Sequence, residues 1–173
     1  MGGFFAVASK ESCVLDLFYG TDYHSHLGTR RGGLAVYDSE LGLQREIHNI
    51  SNSPFRTKFE RVFEEMRGTS AIGAISDSDP QPLLIRSKLG TYAIATIGII
   101  NNVNDILDEY FSHTTGHFNA MTGGQINTTE LVAALINQKD SFAEGIKLAN
   151  DVVDGTLSIL ILKDGGNLIA ARD

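Results

Sequence analysis

The chain has 173 residues, 42% of them hydrophobic and 20% charged, with a formal net charge of −7. That length suits a single domain with a substantial core, and acidic charge spread along the chain argues against a binder of nucleic-acid phosphates. No apolar run approaches the roughly 20 residues of a membrane span, and no basic n-region precedes an apolar stretch as in a signal peptide. The only cysteine, Cys13, leaves no intrachain disulfide and no cysteine-based zinc cage. A cytoplasmic protein without membrane or nucleic-acid partners is expected. The Met-Gly start lacks the Ser or Thr that N-myristoylation wants at position 6, where Ala6 stands.

Phe4 to Ala8 reads as a buried first strand. Ser12 can cap a helix whose apolar positions are Val14, Leu17 and Phe18, continuing to Leu27 and ending at Gly28. Leu34 to Tyr37 is strand-like, with Arg45 to Ile50 as its partner. Ser53-Pro54 starts a helix that carries Phe55, Phe59, Val62, Phe63 and Met66 at helical spacing and closes at Gly68. Ala71 to Ile75, Leu83 to Ile85 and Tyr92 to Ile97 are strands, the last two joined by a turn at Lys88-Leu89-Gly90. Asn101-Asn102 starts a helix with Val103, Ile106, Leu107 and Tyr110 on one face, and His113 to Gly124 reads as a surface loop. Two helices with capping-box signatures follow, Asn127…Glu130 and Ser141…Glu144. The chain closes on a hairpin, Thr156 to Leu162 and Asn167 to Ala171, around Asp164-Gly165-Gly166. Strands in adjacent groups, not strictly alternating with helices, favour a layered α+β fold over a doubly wound sheet.

Generic motifs give no catalytic constellation. The glycine pairs Gly32-Gly33 and Gly123-Gly124 lack the Lys-Ser/Thr of a P-loop and the spacing of a dinucleotide fingerprint. His24 and His26 point apart on a helix and have no evident third ligand, so no metal is expected. Asp77 and Asp79 before Pro80 read as a loop cap, and Cys13 as a small core residue. Arg30 and Arg31, beside the glycine pair, could seat an anion, although solvated arginines are the plainer explanation.

Taken together, the order of segments resembles the class II, N-terminal-nucleophile glutamine amidotransferase domain of the amidophosphoribosyltransferase type, over essentially the whole chain. The family's opening Cys-Gly-Ile-Phe-Gly-Val matches Gly2-Gly3-Phe4-Phe5-Ala6-Val7. Its Tyr-Gly and Gln-His-Arg-Gly-Gln-Glu-Ser-Ala-Gly-Ile match Tyr19-Gly20 and the run from Ser25 to Leu34. Its Ile-Gly-His-Val-Arg-Tyr matches Ile72 to Asp77, with Gln81-Pro82 following. Its Ala-His-Asn-Gly-Asn-Leu-Thr-Asn matches Ala95 to Asn102, its Ser-Asp-Thr-Glu matches Asn127 to Glu130, and its closing Leu-Ile-Ala-Val-Arg-Asp matches Leu168 to Asp173.

The resemblance implies a four-layer α/β/β/α sandwich of two antiparallel sheets. It also implies that residues 1–173 are one domain at the front of a longer chain, with a phosphoribosyltransferase-like domain after it. Family chemistry needs a terminal Cys thiolate activated by its own α-amino group, an oxyanion hole from an Asn side chain and a Gly N–H, and two Arg and an Asp that hold the substrate glutamine. At the matching positions this chain has Gly2 for the nucleophile, Ile97 for the oxyanion Asn, Leu27 and Ser76 for the arginines and Thr128 for the Asp. Gly28 and Gly98 are retained. Removing the nucleophile removes the covalent route, and loss of one oxyanion donor costs about 10²–10³ in rate. Replacing an Arg clamp by Leu removes a charge-assisted pair worth roughly 1.5–3 kcal/mol. The expectation is a domain without glutaminase activity or cofactor, with a structural or regulatory role against the downstream domain or a partner subunit in a homo-oligomer. Two alternatives remain: a metabolite sensor using the vacated pocket lined by Leu27, Ser76 and Ile97, with Arg30 or Arg31 near its mouth, and part of an ammonia-using phosphoribosyltransferase in purine nucleotide synthesis.

Overall fold

In a computed structural model that describes residues 2–173, the apolar runs pair into two four-stranded antiparallel sheets. The first has the order β1-β4-β2-β3, built from Gly2–Ala8, Ser70–Ser76, Arg31–Asp38 and Gly42–Asn49. The second has the order β10-β9-β6-β5, built from Leu168–Arg172, Gly155–Lys163, Gly90–Ile100 and Leu83–Ser87. Helix α1 (Val14–Tyr23) and the single turns α2 (Phe55–Lys58) and α3 (Val62–Glu65) cover the first sheet; α4 (Val103–His113), α5 (Thr128–Ile136) and α6 (Phe142–Val152) cover the second. The layers are therefore α/β/β/α, as the family resemblance implied.

Alternation along the strands sorts side chains between the layers. Leu34 and Val36 of β2 face α1 and the aromatic pair Phe55 and Phe59, while Ala35 between them faces the other sheet. The inter-sheet layer is built on Ala35, Ala74, Ala93 and Ala95, together with Ile72, Leu160 and Leu162. These small residues let the two sheets stack closely. Beneath the second sheet lie Tyr92, Ile94, Leu131, Ile136, Ile159 and Ile161. Each fully buried aliphatic side chain of this kind contributes about 1.5–3 kcal/mol relative to exposure.

Four local differences from the sequence reading have physical causes. The Phe55-to-Met66 stripe is not one helix but two single turns: Phe59 leaves helical geometry (φ −108°, ψ 15°), and its ring stacks on Phe55 over the space left by Gly32. Helix α1 stops at Tyr23, and a short 3-10 turn, Ser25–Leu27, carries the chain on to Gly28. Strand β6 runs on to Ile100 because β9 pairs with it along its whole length, down to Gly155 opposite Ile100. The 113–124 segment is not all loop: β7 (Met121–Thr122) and β8 (Gln125–Ile126) form a ribbon whose turn needs positive φ at Gly123 and Gly124, 60° and 80°.

Candidate functional site

The inward-facing rows of both sheets continue past the alanine layer to one end of the sandwich. There Gly2 of β1 lies opposite Ser76 of β4, and Ser76 lies opposite Arg31 of β2. Across the gap, β6 brings Ile97 and Gly98. A cavity of about 190 Å³ lies between the sheets at this end, lined by Gly2, Ser76, Ile97, Gly98 and Thr128, and also by Asp77, Ser78 and Asp79. Residues far apart in sequence, matched to different family motifs, thus meet around one opening.

The neighbouring strands leave little room for a side chain at position 2. A Cβ placed on Gly2 would stand 2.5 Å from the Ile75 carbonyl oxygen and 2.9 Å from Ile97 Cδ1. The isoleucine tip can swing away, but the carbonyl belongs to the β4 backbone. It is therefore the Ile75 carbonyl, more than Ile97, that favours glycine at position 2. The two retained glycines have packing reasons of their own. A Cβ on Gly98 would lie 1.9 Å from the Thr156 carbonyl oxygen, and one on Gly28 would lie 2.8 Å from Ile75 Cγ2.

The polar groups here are committed to holding the chain. Ser76 is 5% exposed. Its hydroxyl donates to the Asp79 carbonyl at 2.8 Å and accepts the Ser78 N–H at 3.2 Å. Asp79 Oδ2 accepts from both the N–H and the hydroxyl of Thr128, at 3.0 and 2.8 Å. This sets a carboxylate on the first residue of α5, where the helix dipole favours it. Asn127 caps the same helix, accepting the Thr129 N–H at 2.9 Å, and its Nδ2 donates to the Pro80 carbonyl at 2.9 Å. Gln81 extends the β6 ladder past the end of β5: its Nε2 donates to the Thr96 carbonyl at 3.0 Å, and its Oε1 accepts the Thr96 N–H at 2.8 Å and the Thr129 hydroxyl at 3.1 Å. The 76–82 segment is thereby laced to α5 and β6.

Of the other positions singled out in the sequence, Leu27 is half-buried in the 3-10 turn, and Arg30 is exposed, with its N–H donating to the Ser76 carbonyl at 3.3 Å. Arg31 sits in the β2 row beside Ser76. None of these three is among the residues lining the cavity. Thr29 ties the same stretch down by donating its N–H to Asp77 at 2.7 Å. Cys13 is fully buried, and burial pushes its thiol up to about 11, so it is a core residue and no thiolate at neutral pH. The Asn127…Glu130 signature caps α5 in one direction only: Glu130 turns away and accepts the Asn119 and Ala120 N–H groups instead. Sequence reasoning missed Gln81, Thr96 and Thr129, and the one available signal was the Gln-Pro pair within the matched motif.

Two solved structures superpose on 100% of this chain with a TM-score of 0.82 at 22% identity. One is the glutamine phosphoribosylpyrophosphate amidotransferase from B. subtilis complexed with ADP and GMP; the other is described as the allosteric regulatory enzyme of purine biosynthesis. The fold is that of a class II glutamine amidotransferase domain. A glutamine aminotransferase class-II domain protein from Silicibacter pomeroyi matches 99% of the chain with a TM-score of 0.56 at 12% identity. The chain spans 37% of the length of the first two. No protein-family model and no curated protein matches the sequence. Among the described residues, no helix is long and apolar enough to cross a membrane.

Proposed function

We propose that this is a glutamine amidotransferase-like domain that has lost glutamine hydrolysis and serves as a structural or regulatory unit of a longer, cytoplasmic amidophosphoribosyltransferase-like protein. The observation that carries this is the closed space at Gly2, where Ile75 and Ile97 stand at 2.5 and 2.9 Å from where a nucleophile's Cβ would be. Supporting it, the substrate-holding positions carry Leu27, Ser76 and Thr128, and the last two spend their hydroxyls on Asp79. Without a thiol the acyl-enzyme cannot form, and without the side-chain amide at position 97 half of the oxyanion hole is gone. A phosphoribosyltransferase-like domain following in the chain, or a partner subunit of a homo-oligomer, is the proposed counterpart of the scaffold. Ammonia release from glutamine, measured with this chain and with the longer protein, tests the proposal. Turnover that disappears on altering residues around the cavity would overturn it.

A second reading rests on the cavity itself. About 190 Å³ stays open between the sheets, with Ser78 and Thr128 at its wall, which suits a small metabolite other than glutamine. A thermal-shift screen of amino acids and nucleotides separates the two readings, because a ligand at 100 times its Kd adds about 2.7 kcal/mol of stability. Absence of any shift across the screen would remove the sensor reading.

A further inference from the structure

A much larger groove, about 1020 Å³, lies away from this site along β5, the edge strand of the second sheet. We propose that it takes an extended acidic segment of a partner protein as an added strand on β5. The backbone register supplies the first reason. Thr96 of β6 turns its N–H and C=O toward Gln81, on the β5 side of the sheet. By alternation, Ile94, Tyr92 and Gly90 turn the same way, toward their partners Leu83, Ile85 and Ser87. Leu84 and Arg86 therefore direct their N–H and C=O groups off the sheet, and no backbone hydrogen bond outside the ladder takes them among the described residues. Such a row of unpaired groups is a template for another strand.

Side chains supply the second reason. The groove wraps both faces of β5. Ile106, Phe118, Ala133 and Leu135 line it on the helix side, and Leu84, 40% exposed, opens into it. Alternate side chains of an added strand would find apolar surface there.

Charge decides the kind of partner. Arg45 of β3 and Arg86 of β5 both line the groove, and neither makes an ion pair among the described residues. The lining carboxylates are already engaged: Glu109 pairs with His113, and Glu130 holds the Asn119 and Ala120 N–H groups. Both carboxylates stand on the helices, α4 and α5, whereas Arg86 alternates with Leu83 and Ile85 of the helix-side core and so stands on the opposite face of β5, where the groove's local charge is positive. A second copy pairing antiparallel, β5 against β5, would set two arginine-bearing faces side by side in one sheet, so an acidic strand from a different protein is the complementary occupant.

The test is NMR titration of the chain with three blocked nonapeptides: one alternating glutamate and valine, its lysine–valine counterpart, and the glutamate peptide N-methylated at consecutive central residues, which blocks both strand edges. We expect the first to bind and to slow amide exchange at Leu84 and Arg86. The other two, and the first peptide with the Arg45→Glu/Arg86→Glu double variant, should bind at least about tenfold more weakly. The variant's urea midpoint should stay close to that of the parent, because both side chains are exposed and the one bond lost, from Arg86 Nη1 to the Thr91 hydroxyl, lies at the surface. No effect on the β5 amides, equal binding of the glutamate and lysine peptides, undiminished binding after N-methylation, or dimerisation of the free chain through β5 would each overturn the proposal.

Discussion

Replacing Gln81 by leucine should destabilise the domain by about 2–6 kcal/mol. Gln81 is 4% exposed and Thr96 is 8% exposed. The Gln81 side chain satisfies the Thr96 N–H at 2.8 Å and the Thr96 C=O at 3.0 Å, standing in for the next residue pair of a β-ladder. Leucine has a similar volume but no polar atoms, so it would leave a buried backbone donor and acceptor unpaired, at about 1–3 kcal/mol each. The Thr129 hydroxyl would lose its 3.1 Å partner as well, although the Thr96 hydroxyl, 2.7 Å away, still engages it. Urea unfolding followed by far-UV circular dichroism would show a lower midpoint at an unchanged m-value. A midpoint within about 0.5 kcal/mol of the parent, the level of an ordinary surface change, would refute the view that Gln81 continues the sheet.

Gly98→Ala should cost about 1–3 kcal/mol, because its Cβ would meet the Thr156 carbonyl 1.9 Å away and force β6 from β9; the same urea experiment reads it. Asn127→Ala should cost about 0.5–2 kcal/mol through the lost helix cap, with a further loss from the Pro80 contact, and should raise amide exchange in the first turn of α5. The Cys13 thiol, raised from 9.0 to about 11, should not react with a thiol reagent at pH 8 until the chain is unfolded. Burial also raises the Tyr92 hydroxyl from 10.0 to about 12. Both groups are held neutral in the folded state, so their contributions to stability are fully present below the unfolded pKa and are lost as pH rises through the folded one. Stability should therefore decline between about pH 9 and 12, first through Cys13 and then through Tyr92, and Cys13→Ala should flatten the lower part of that decline.

Strand pairings were legible in the sequence where alternation and turn chemistry agreed, while the four layers followed from the resemblance of the ordered motifs. Leu34 to Tyr37 with Arg45 to Ile50, and the closing hairpin around Gly165-Gly166, are found as pairs. Helical spacing alone failed at Phe55 to Met66, because the aromatic rings settle on a glycine of the neighbouring strand and nothing in local periodicity encodes that contact. The site was legible only in part. The ordered motifs brought Gly2, Ser76, Ile97, Gly98 and Thr128 to one cavity, whereas Leu27, Arg30 and Arg31 stand outside its wall. The clash that closes position 2 depends on the carbonyl of Ile75 on the next strand. So does the Gln81 bridge depend on the backbone of Thr96. Both are backbone relationships across strands, invisible until the register is known.

The most direct test of the proposed loss of chemistry is ammonia release from glutamine by this chain, before and after Gly2→Cys. With the position hemmed by Ile75 and Ile97 at 2.5 and 2.9 Å, no ammonia above the enzyme-free rate is expected from either protein. Sustained turnover by the parent chain, abolished by closing the cavity with Ser76→Phe, would contradict it.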